Sequence, residues 1–178
     1  MESNKNDARM RRIIPDKYHD IECDKPDSVA RGINKSLFIT GPSGTGKTVL
    51  VACIVKKIIE DGIEGVCWLS YPQFIMRLQS LFHTESAETP FSYAESVANY
   101  DGVLVIDDLG VEKPSDFVRQ ITYYVLNQRE QYLLPVLITS NYSLAQIDAI
   151  IDSRVSSRIA GMCEIIELTG ADRRIRVV

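Results

Sequence analysis

The glycine-rich octapeptide "GPSGTGKT", at residues 41–48, constrains the fold of this chain more than any other feature. It matches the pattern G-x-x-x-x-G-K-[ST], in which glycines let successive backbone N–H groups turn inward around phosphate oxygens. The apolar "SLFIT" precedes it and the helix-periodic "KTVLVACIVKKIIEDG" follows it. This strand–loop–helix context favours a nucleotide site over a glycine-rich turn matched by chance. The residues predicted to line the site are Gly41, Pro42, Ser43, Gly44, Thr45, Gly46, Lys47, Thr48 and Val49.

The rest of the chain alternates between short apolar runs and segments with helical periodicity. Strands are predicted at residues 36–40, 65–70, 102–110, 135–142 and 163–170. Helices are predicted at residues 47–62, 71–83, 91–100, 115–133, 143–151 and 152–161, with Ser115 and Ser143 as N-caps and Gly62 as a C-cap glycine. Strands that alternate with helices predict an α/β fold, a parallel sheet with helices on both faces. Residues 1–35 are predicted to form an irregular, partly disordered lead-in with a loose first dozen residues and at most one short helix after them, and residues 36–178 the α/β domain.

Composition narrows the functional class. The chain has 178 residues, 45% of them apolar, and a net charge of −4, which argues against a surface coated in basic residues. Its four cysteines show neither C-x-x-C spacing nor histidine partners, so we expect reduced thiols rather than a metal site or a disulfide framework. The sequence has no secretory signal and no apolar run approaching the roughly 18 residues of a membrane span. These features predict a cytoplasmic protein without a membrane partner.

The third predicted strand, "VLVIDDLG", ends in two aspartates. Ligands of open α/β sheets bind at the carboxyl ends of the strands, so Asp107 is expected to hold the Mg²⁺ that the Thr48 hydroxyl also binds. Asp108 would then polarise the attacking water, and Lys47 would reach the β- and γ-phosphates. The alternative is a solvated turn after a strand. With the phosphate loop upstream, the Mg²⁺ and water roles are favoured.

Polar side chains also follow the fourth and fifth predicted strands. "LITSNY" would place Asn141 near the γ-phosphate or the attacking water, unless this asparagine only forms a turn. After the fifth strand, "TGADRRIRV" carries Arg173 and Arg174, which would either reach phosphate within the same subunit or form a basic tail.

A predicted helix near the end of the chain, "DSRVSSRIAG", carries two arginines at i and i+4. Arg154 and Arg158 therefore lie on one helix face. An arginine supplied in trans to the γ-phosphate of a neighbouring subunit would stabilise charge in the transition state. Spacing alone leaves open a solvated face on which these arginines pair with Asp152 or Glu164.

The chain resembles the DnaC/IstB-type AAA+ ATPases in the order and spacing of five segments. These are "GPSGTGKT", "VLVIDDLG", "LITSNY", "SRVSSRIAG" and "TGADRRIRV". The resemblance implies a P-loop NTPase of the AAA+ (ASCE) type, a five-stranded parallel sheet between helices without a C-terminal helical lid. It also implies that Asn141 acts as sensor one, Arg158 as the arginine finger in trans and Arg174 as a sensor-two-like residue. By the same resemblance Ile14, Pro15 and Tyr18 would lie near the adenine.

That group contains replicative helicase loaders and transposition helper ATPases. The resemblance implies binding of ATP and ADP with Mg²⁺, slow hydrolysis by the isolated chain, and stimulation by assembly or DNA. The partners it implies are single-stranded DNA, a replicative helicase or a transposase, and further copies of the chain in an ATP-dependent homo-oligomer. A small-molecule kinase and a non-hydrolytic nucleotide-gated module are the competing interpretations. Only about 35 residues precede the first strand, so we expect either a stand-alone short form or a chain whose partner-binding N-terminal domain is missing.

Overall fold

A computed structural model describes residues 2–21, 23, 35–83, 87–110 and 114–170. Within these ranges the strands are β1 Ser36–Thr40, β2 Val66–Ser70, β3 Val103–Leu109, β4 Val136–Ser140 and β5 Cys163–Glu167. The helices are α1 Glu2–Ile13, α2 Lys47–Glu60, α3 Tyr71–Ser80, α4 Pro90–Ala98, α5 Asp116–Gln131, α6 Leu144–Ile150 and α7 Ser153–Met162. Short 3₁₀ turns occupy Asp16–Tyr18 and Leu81–His83. None of the described helices has the length and apolar character needed to cross a lipid bilayer.

The strands form one parallel sheet in the order β2-β3-β4-β1-β5. Thr40 at the end of β1 pairs with Ser140 at the end of β4, and Ser70 at the end of β2 pairs with Asp107. The carboxyl ends of β1, β3 and β4 therefore meet at one edge of the sheet, where ligands of open α/β sheets bind. The predicted parallel α/β fold is confirmed.

Each face of the sheet is covered by its own apolar core. On one face Phe38, Leu104, Ile106 and Ile138 pack against residues of α3, α4, α5, α6 and α7. On the other face the alternate strand residues Leu37, Ile39, Val105 and Leu137 pack against α2. This period of two along strands that are buried on both sides is what a parallel sheet between helices requires.

The helix caps predicted from the sequence are present in the structure. The Ser115 hydroxyl accepts from the backbone of Val118 at the start of α5, and the Ser143 hydroxyl caps α6 in the same way. Gly62 follows α2 with φ +76°, and the Ile63 amide reaches back to the Ile58 carbonyl at 3.1 Å. This is a Schellman ending, which fixes where the phosphate-loop helix stops.

The prediction of a loose first dozen residues is wrong, because α1 begins at Glu2. Met10 and Ile13 pack on the core that α2 covers, and Ile14 is 2% exposed in the same core. Arg9 donates to the Ile63 carbonyl at 3.1 Å. The polar composition concealed a helix that is held by tertiary packing rather than by its own propensity. The division at residue 35 stays a prediction.

The expectation of reduced cysteines also needs correction. Cys23 of the lead-in forms a disulfide with Cys53 of α2, with the Cα atoms 5.7 Å apart. Lys56, one turn further along α2, donates to the carbonyls of His19 and Ile21 at 2.6 and 3.0 Å. The bonded cysteines are separated by 30 positions, so spacing alone gave no signal of the contact. Cys67 and Cys163 are free.

Candidate nucleotide site

The loop between β1 and α2 wraps the positive end of α2. Gly41, Gly44 and Gly46 all have positive φ, and Gly46 is the N-cap of the helix. At Gly41 a Cβ atom would lie 2.0 Å from the Leu168 carbonyl oxygen, so the first glycine is fixed by a close backbone approach as well as by its φ of +142°. A glycine loop that opens a helix N-terminus presents backbone N–H groups to an anion.

Lys47 lies inside this loop with 5% of its surface exposed. Its ammonium donates to the carbonyls of Gly41 and Pro42 at 2.8 and 2.9 Å and to Asn141 Oδ1 at 2.7 Å. Asn141 follows β4, which lies between β3 and β1 in the sheet, so the fold brings the predicted sensor residue directly onto the phosphate-loop lysine. Three oxygen acceptors of the protein therefore hold the Lys47 ammonium at the phosphate loop.

Asp107 sits where β3 reaches the edge of the sheet. Its Oδ1 accepts from the Thr48 hydroxyl at 3.0 Å and from the Thr139 hydroxyl at 2.7 Å. Burial raises the pKa of Asp107 above its usual value, and the two hydroxyl donors oppose that rise. Among the described residues no further hydrogen bond reaches Oδ2, so one carboxylate oxygen remains for another ligand.

Asp108, the next residue along β3, has an unusual backbone conformation. Its φ is +63°, a region that residues other than glycine rarely adopt. Its amide donates to the Thr139 hydroxyl at 2.9 Å. The strained conformation lies at the site itself, which is where such strain is commonly found.

A cavity of about 780 Å³ opens over the loop, within the size range of small-molecule sites. It is lined by Lys17, Tyr18, Ile21, Ser43, Gly44, Gly46, Lys47, Thr48, Val49, Asp108 and Asn141.

The lead-in supplies one end of this cavity. Tyr18 lines it and stacks on Trp68, with ring centroids 6.4 Å apart. Ile14 is buried in the core that α2 covers, and neither Ile14 nor Pro15 is among the lining residues. Lys17 and Ile21 also line the cavity, but the sequence analysis did not identify them. The one signal for them was their closeness in the sequence to Tyr18, one residue before it and three residues after it.

The donor set at the loop suits Mg²⁺ together with phosphates. Magnesium is commonly held in such sites by one or two carboxylates plus substrate oxygens, with several waters retained. Thr48 and Asp107 supply a hydroxyl and a carboxylate 3.0 Å apart. Within the described ranges no cluster of three or more histidine, cysteine, aspartate or glutamate side chains is gathered to hold a metal. Phosphate oxygens of a bound nucleotide would complete the ligand set that Thr48 and Asp107 begin.

The arginines of α7 lie away from the cavity of their own subunit. Arg158 donates to Glu130 Oε2 of α5 at 2.6 Å, and 37% of its side chain is exposed. Arg154 makes two bonds to Asp152, which caps the helix and whose pKa these bonds lower to about 2. Both guanidinium groups lie within 6 Å of the Tyr123 ring centroid.

Glu130 was not identified from the sequence as the partner of Arg158, because the two are 28 positions apart. The pairing with Asp152 that the sequence left open is made by Arg154 instead. Gly161 permits the approach, since a Cβ there would lie 2.6 Å from Glu130 Oε1. Arg173 and Arg174 fall outside the described residues, so the sensor-two-like role of Arg174 stays a prediction.

The family model described as IstB-like ATP binding protein matches residues 31–177. The chain belongs to this family. Its AAA+ fold and the resemblance to DnaC/IstB-type proteins are thereby confirmed, and the family is one of ATP-binding proteins.

Relatives and solved structures agree with the family assignment. The replicative helicase loader DnaI of Bacillus subtilis (strain 168) is 25% identical over 156 residues, which is 80% of this chain and 49% of that protein. The crystal structure of the DnaC helicase loader superposes with a TM-score of 0.69 at 28% identity, covering 90% of this chain and 99% of that one. AMPPCP-bound DnaA from Aquifex aeolicus shares the fold, with a TM-score of 0.67, 19% identity and coverage of 87% and 51%. The chain spans about half the length of the curated relatives it matches.

Proposed function

We propose that this chain is an Mg²⁺-dependent ATPase that acts in DNA replication as a helicase-loader-like protein. The observation that carries the proposal is the set of contacts at the sheet edge, where Lys47 meets Asn141 and Thr48 meets Asp107 beside one cavity. The helicase loaders DnaI and DnaC among the relatives support the biological role. They also support a cytoplasmic site of action.

Each residue has a defined task in this proposal. The loop amides and Lys47 bind the β- and γ-phosphates, and Thr48 and Asp107 hold the metal. When bound, Mg²⁺ neutralises charge on the phosphate oxygens. Asp108 orients and polarises the attacking water, and Asn141 lies close enough to Lys47 to contact the γ-phosphate. Because aspartate is one methylene shorter than the glutamate common at this position, we expect slow turnover by the isolated chain.

Assembly would complete the site. Arg158 does not line the cavity of its own subunit and is partly exposed on α7. We propose that it reaches the γ-phosphate of a neighbouring copy, so that ATP binding favours a homo-oligomer. The role of Arg174 at the same phosphate is proposed on the family resemblance alone.

Single-stranded DNA is the proposed activator. The helical stretch after β2 carries several aromatics, but Tyr71 and Phe74 are buried. Phe82 is 58% exposed and meets the half-buried Phe117 edge-on, with centroids 5.0 Å apart. An exposed aromatic ring offers a stacking surface for bases without requiring a particular sequence.

The test of the proposed function is ATP turnover by the chain with and without single-stranded DNA, with molecular mass measured in the ATP and ADP states. We expect low basal turnover, stimulation by DNA, and a larger particle with ATP.

Lys47→Ala should abolish turnover, because the phosphates lose their cation. Turnover that is absent with and without DNA, or unchanged in Lys47→Ala, would contradict the proposal; a requirement for a small acceptor would indicate a kinase.

Phe82→Ala is expected to weaken binding of labelled single-stranded DNA by about 1–3 kcal/mol, roughly 5- to 150-fold in Kd. Binding measured by fluorescence anisotropy across a salt series would separate this loss from the phosphate contribution, which changes with salt. Tyr132→Ala is the matched control, since Tyr132 is 59% exposed at the far end of α5 from Phe117. Equal losses in the two variants would exclude stacking on Phe82.

A transposition helper ATPase is the second candidate, favoured by the family model itself. The same site chemistry would serve it, with a transposase as the partner instead of a helicase. Binding assays with a purified replicative helicase and a purified transposase would distinguish the two roles.

A further inference from the structure

The two aspartates of the site lie in an irregular stretch of β3. Ile106 pairs with Ile138 of β4, but the next pair is Leu109 with Ser140. Asp107 and Asp108 therefore face the single residue Thr139 across the ladder. Two residues opposite one is the definition of a β-bulge, a feature that commonly re-aims a side chain next to an active site.

The bulge explains how consecutive residues can both serve one site. In a regular strand the side chains of neighbouring residues point to opposite faces. Here the φ of +63° at Asp108 breaks that alternation, and Asp108 lines the nucleotide cavity. Asp107 at the same time meets Thr48 of the phosphate-loop helix.

Breaking the ladder leaves the Asp108 amide in need of an acceptor, and Thr139 provides it. The Thr139 hydroxyl accepts from that amide at 2.9 Å and donates to Asp107 Oδ1 at 2.7 Å. Thr139 is fully buried. Even a partly buried amide is costly to leave without a partner, so this hydroxyl stabilises the bulge and also orients the carboxylate.

We propose that Thr139 is a positioning residue for both carboxylates of the ATPase site. Its hydroxyl fixes Asp107 so that Oδ2 is presented to the metal, and it fixes the Asp108 backbone so that the second carboxylate enters the cavity. The inference rests on the proposed function, and it adds to that function a residue that binds neither phosphate nor metal.

The proposed role requires a side chain at position 139 that accepts from the Asp108 amide and donates to Asp107, and that fits the space of a threonine. Valine has the shape of threonine without the hydroxyl, whereas serine keeps the hydroxyl without the methyl. Thr139→Val and Thr139→Ser therefore form a matched pair in which hydrogen bonding and packing are varied separately. Thr139→Ala is a second hydroxyl-free variant with less bulk, for use if the valine protein does not fold.

The first readout needs neither nucleotide nor metal. Amide hydrogen exchange at Asp108, followed by NMR, should be about tenfold or more faster in Thr139→Val than in wild type, because the partly buried amide loses its acceptor. Thr139→Ser should retain most of the protection. Equal protection in Thr139→Val and wild type would overturn the inference.

The second readout is the Mg²⁺ dependence of ATP binding and turnover. Residues that orient metal ligands typically contribute about 10- to 100-fold in metal affinity or activity. Thr139→Val should raise the Mg²⁺ concentration needed for half-maximal turnover by that factor and leave ATP affinity in EDTA unchanged. A variant that is only less stable, with a normal Mg²⁺ dependence, would overturn the inference. If wild type shows no Mg²⁺-dependent turnover, the proposed function fails, and exchange at Asp108 still decides the role of Thr139.

Discussion

Arg158→Ala is expected to bind ATP as tightly as wild type and to lose DNA-stimulated hydrolysis by a factor on the order of 10³–10⁵, the range of arginine fingers in other NTPases. ATP affinity should survive because Arg158 lies outside the cavity of its own subunit. Stimulated hydrolysis should fail because the transition-state charge on the γ-phosphate loses a cation supplied by the neighbour. The measurements are nucleotide affinity by fluorescence titration and turnover at saturating ATP and DNA.

Arg154→Ala is the matched control. Arg154 lies one turn earlier on α7 and is more exposed, but Asp152 holds it through two bonds. Its removal should leave stimulated hydrolysis near that of wild type. A drop as large as in Arg158→Ala would show that the helix face, and not one arginine, is required.

A mixing experiment separates action in trans from action within a subunit. Lys47→Ala subunits keep Arg158 but lose their own site, and Arg158→Ala subunits keep the site but lose the arginine. If Arg158 acts on a neighbour, mixing the two inactive proteins should restore part of the activity at the interfaces that join them correctly. No recovery in mixed assemblies of confirmed size would sink the proposed role.

The salt bridge between Arg158 and Glu130 affects how DNA or assembly could stimulate ATP hydrolysis. In the single subunit the guanidinium is paired with a carboxylate 2.6 Å away. In the proposed assembly a phosphate on a neighbour would have to compete with that carboxylate, and exchange of one anion for another costs less than stripping a charge of all partners. Glu130 thus gives the arginine a partner in the free subunit.

The elements that the sequence predicted well are those determined by short-range patterns. The phosphate loop follows from glycines at fixed offsets, and the strands follow from apolar runs whose ends are marked by turn or cap residues. The Ser115 and Ser143 caps are local hydrogen bonds between residues three apart, so the sequence contains all the information they need. The sequence predicted Asn141 near the γ-phosphate or the attacking water, and its contact with Lys47 became visible only with the strand order of the folded sheet.

The features that were missed depend on contacts between distant positions. The folded backbone is needed to see the disulfide of Cys23 with Cys53, the burial of Ile14 in the core, and the pairing of Arg158 with Glu130. The bulge at Asp107 and Asp108 was missed for a different reason. Register is set across two strands, and nothing within "VLVIDDLG" shows that two of its residues will face one residue of β4.

Arg129→Met is expected to lower the free energy of unfolding by about 3–5 kcal/mol, because several carbonyls lose their donor and a buried polar group left without a partner costs about 1–3 kcal/mol. Arg129 is fully buried, and it donates to the carbonyls of Ala98, Tyr100, Gly102 and Pro135. It therefore ties the end of α4, the turn into β3 and the start of β4 to α5. Methionine fills similar space but leaves these carbonyls without donors. Burial lowers the pKa of Arg129 to about 10, so it remains charged at neutral pH.

For a chain of 178 residues the loss corresponds to a fall in the midpoint of thermal unfolding of about 6–20 °C, at roughly 2–4 °C per kcal/mol. Arg77→Met is the matched control, because Arg77 is half exposed and pairs with Glu88 at the surface, where such pairs contribute about 0–1 kcal/mol. Arg129→Lys should be intermediate, since one ammonium keeps the charge but cannot span carbonyls that a planar guanidinium reaches from both ends. Thermal unfolding followed by circular dichroism would give all three values. The prediction would be contradicted if Arg129→Met and the Arg77→Met control unfolded within a few degrees of each other. Water or a shifted side chain would then satisfy those carbonyls, and Arg129 would not be what joins α5 to the start of β3.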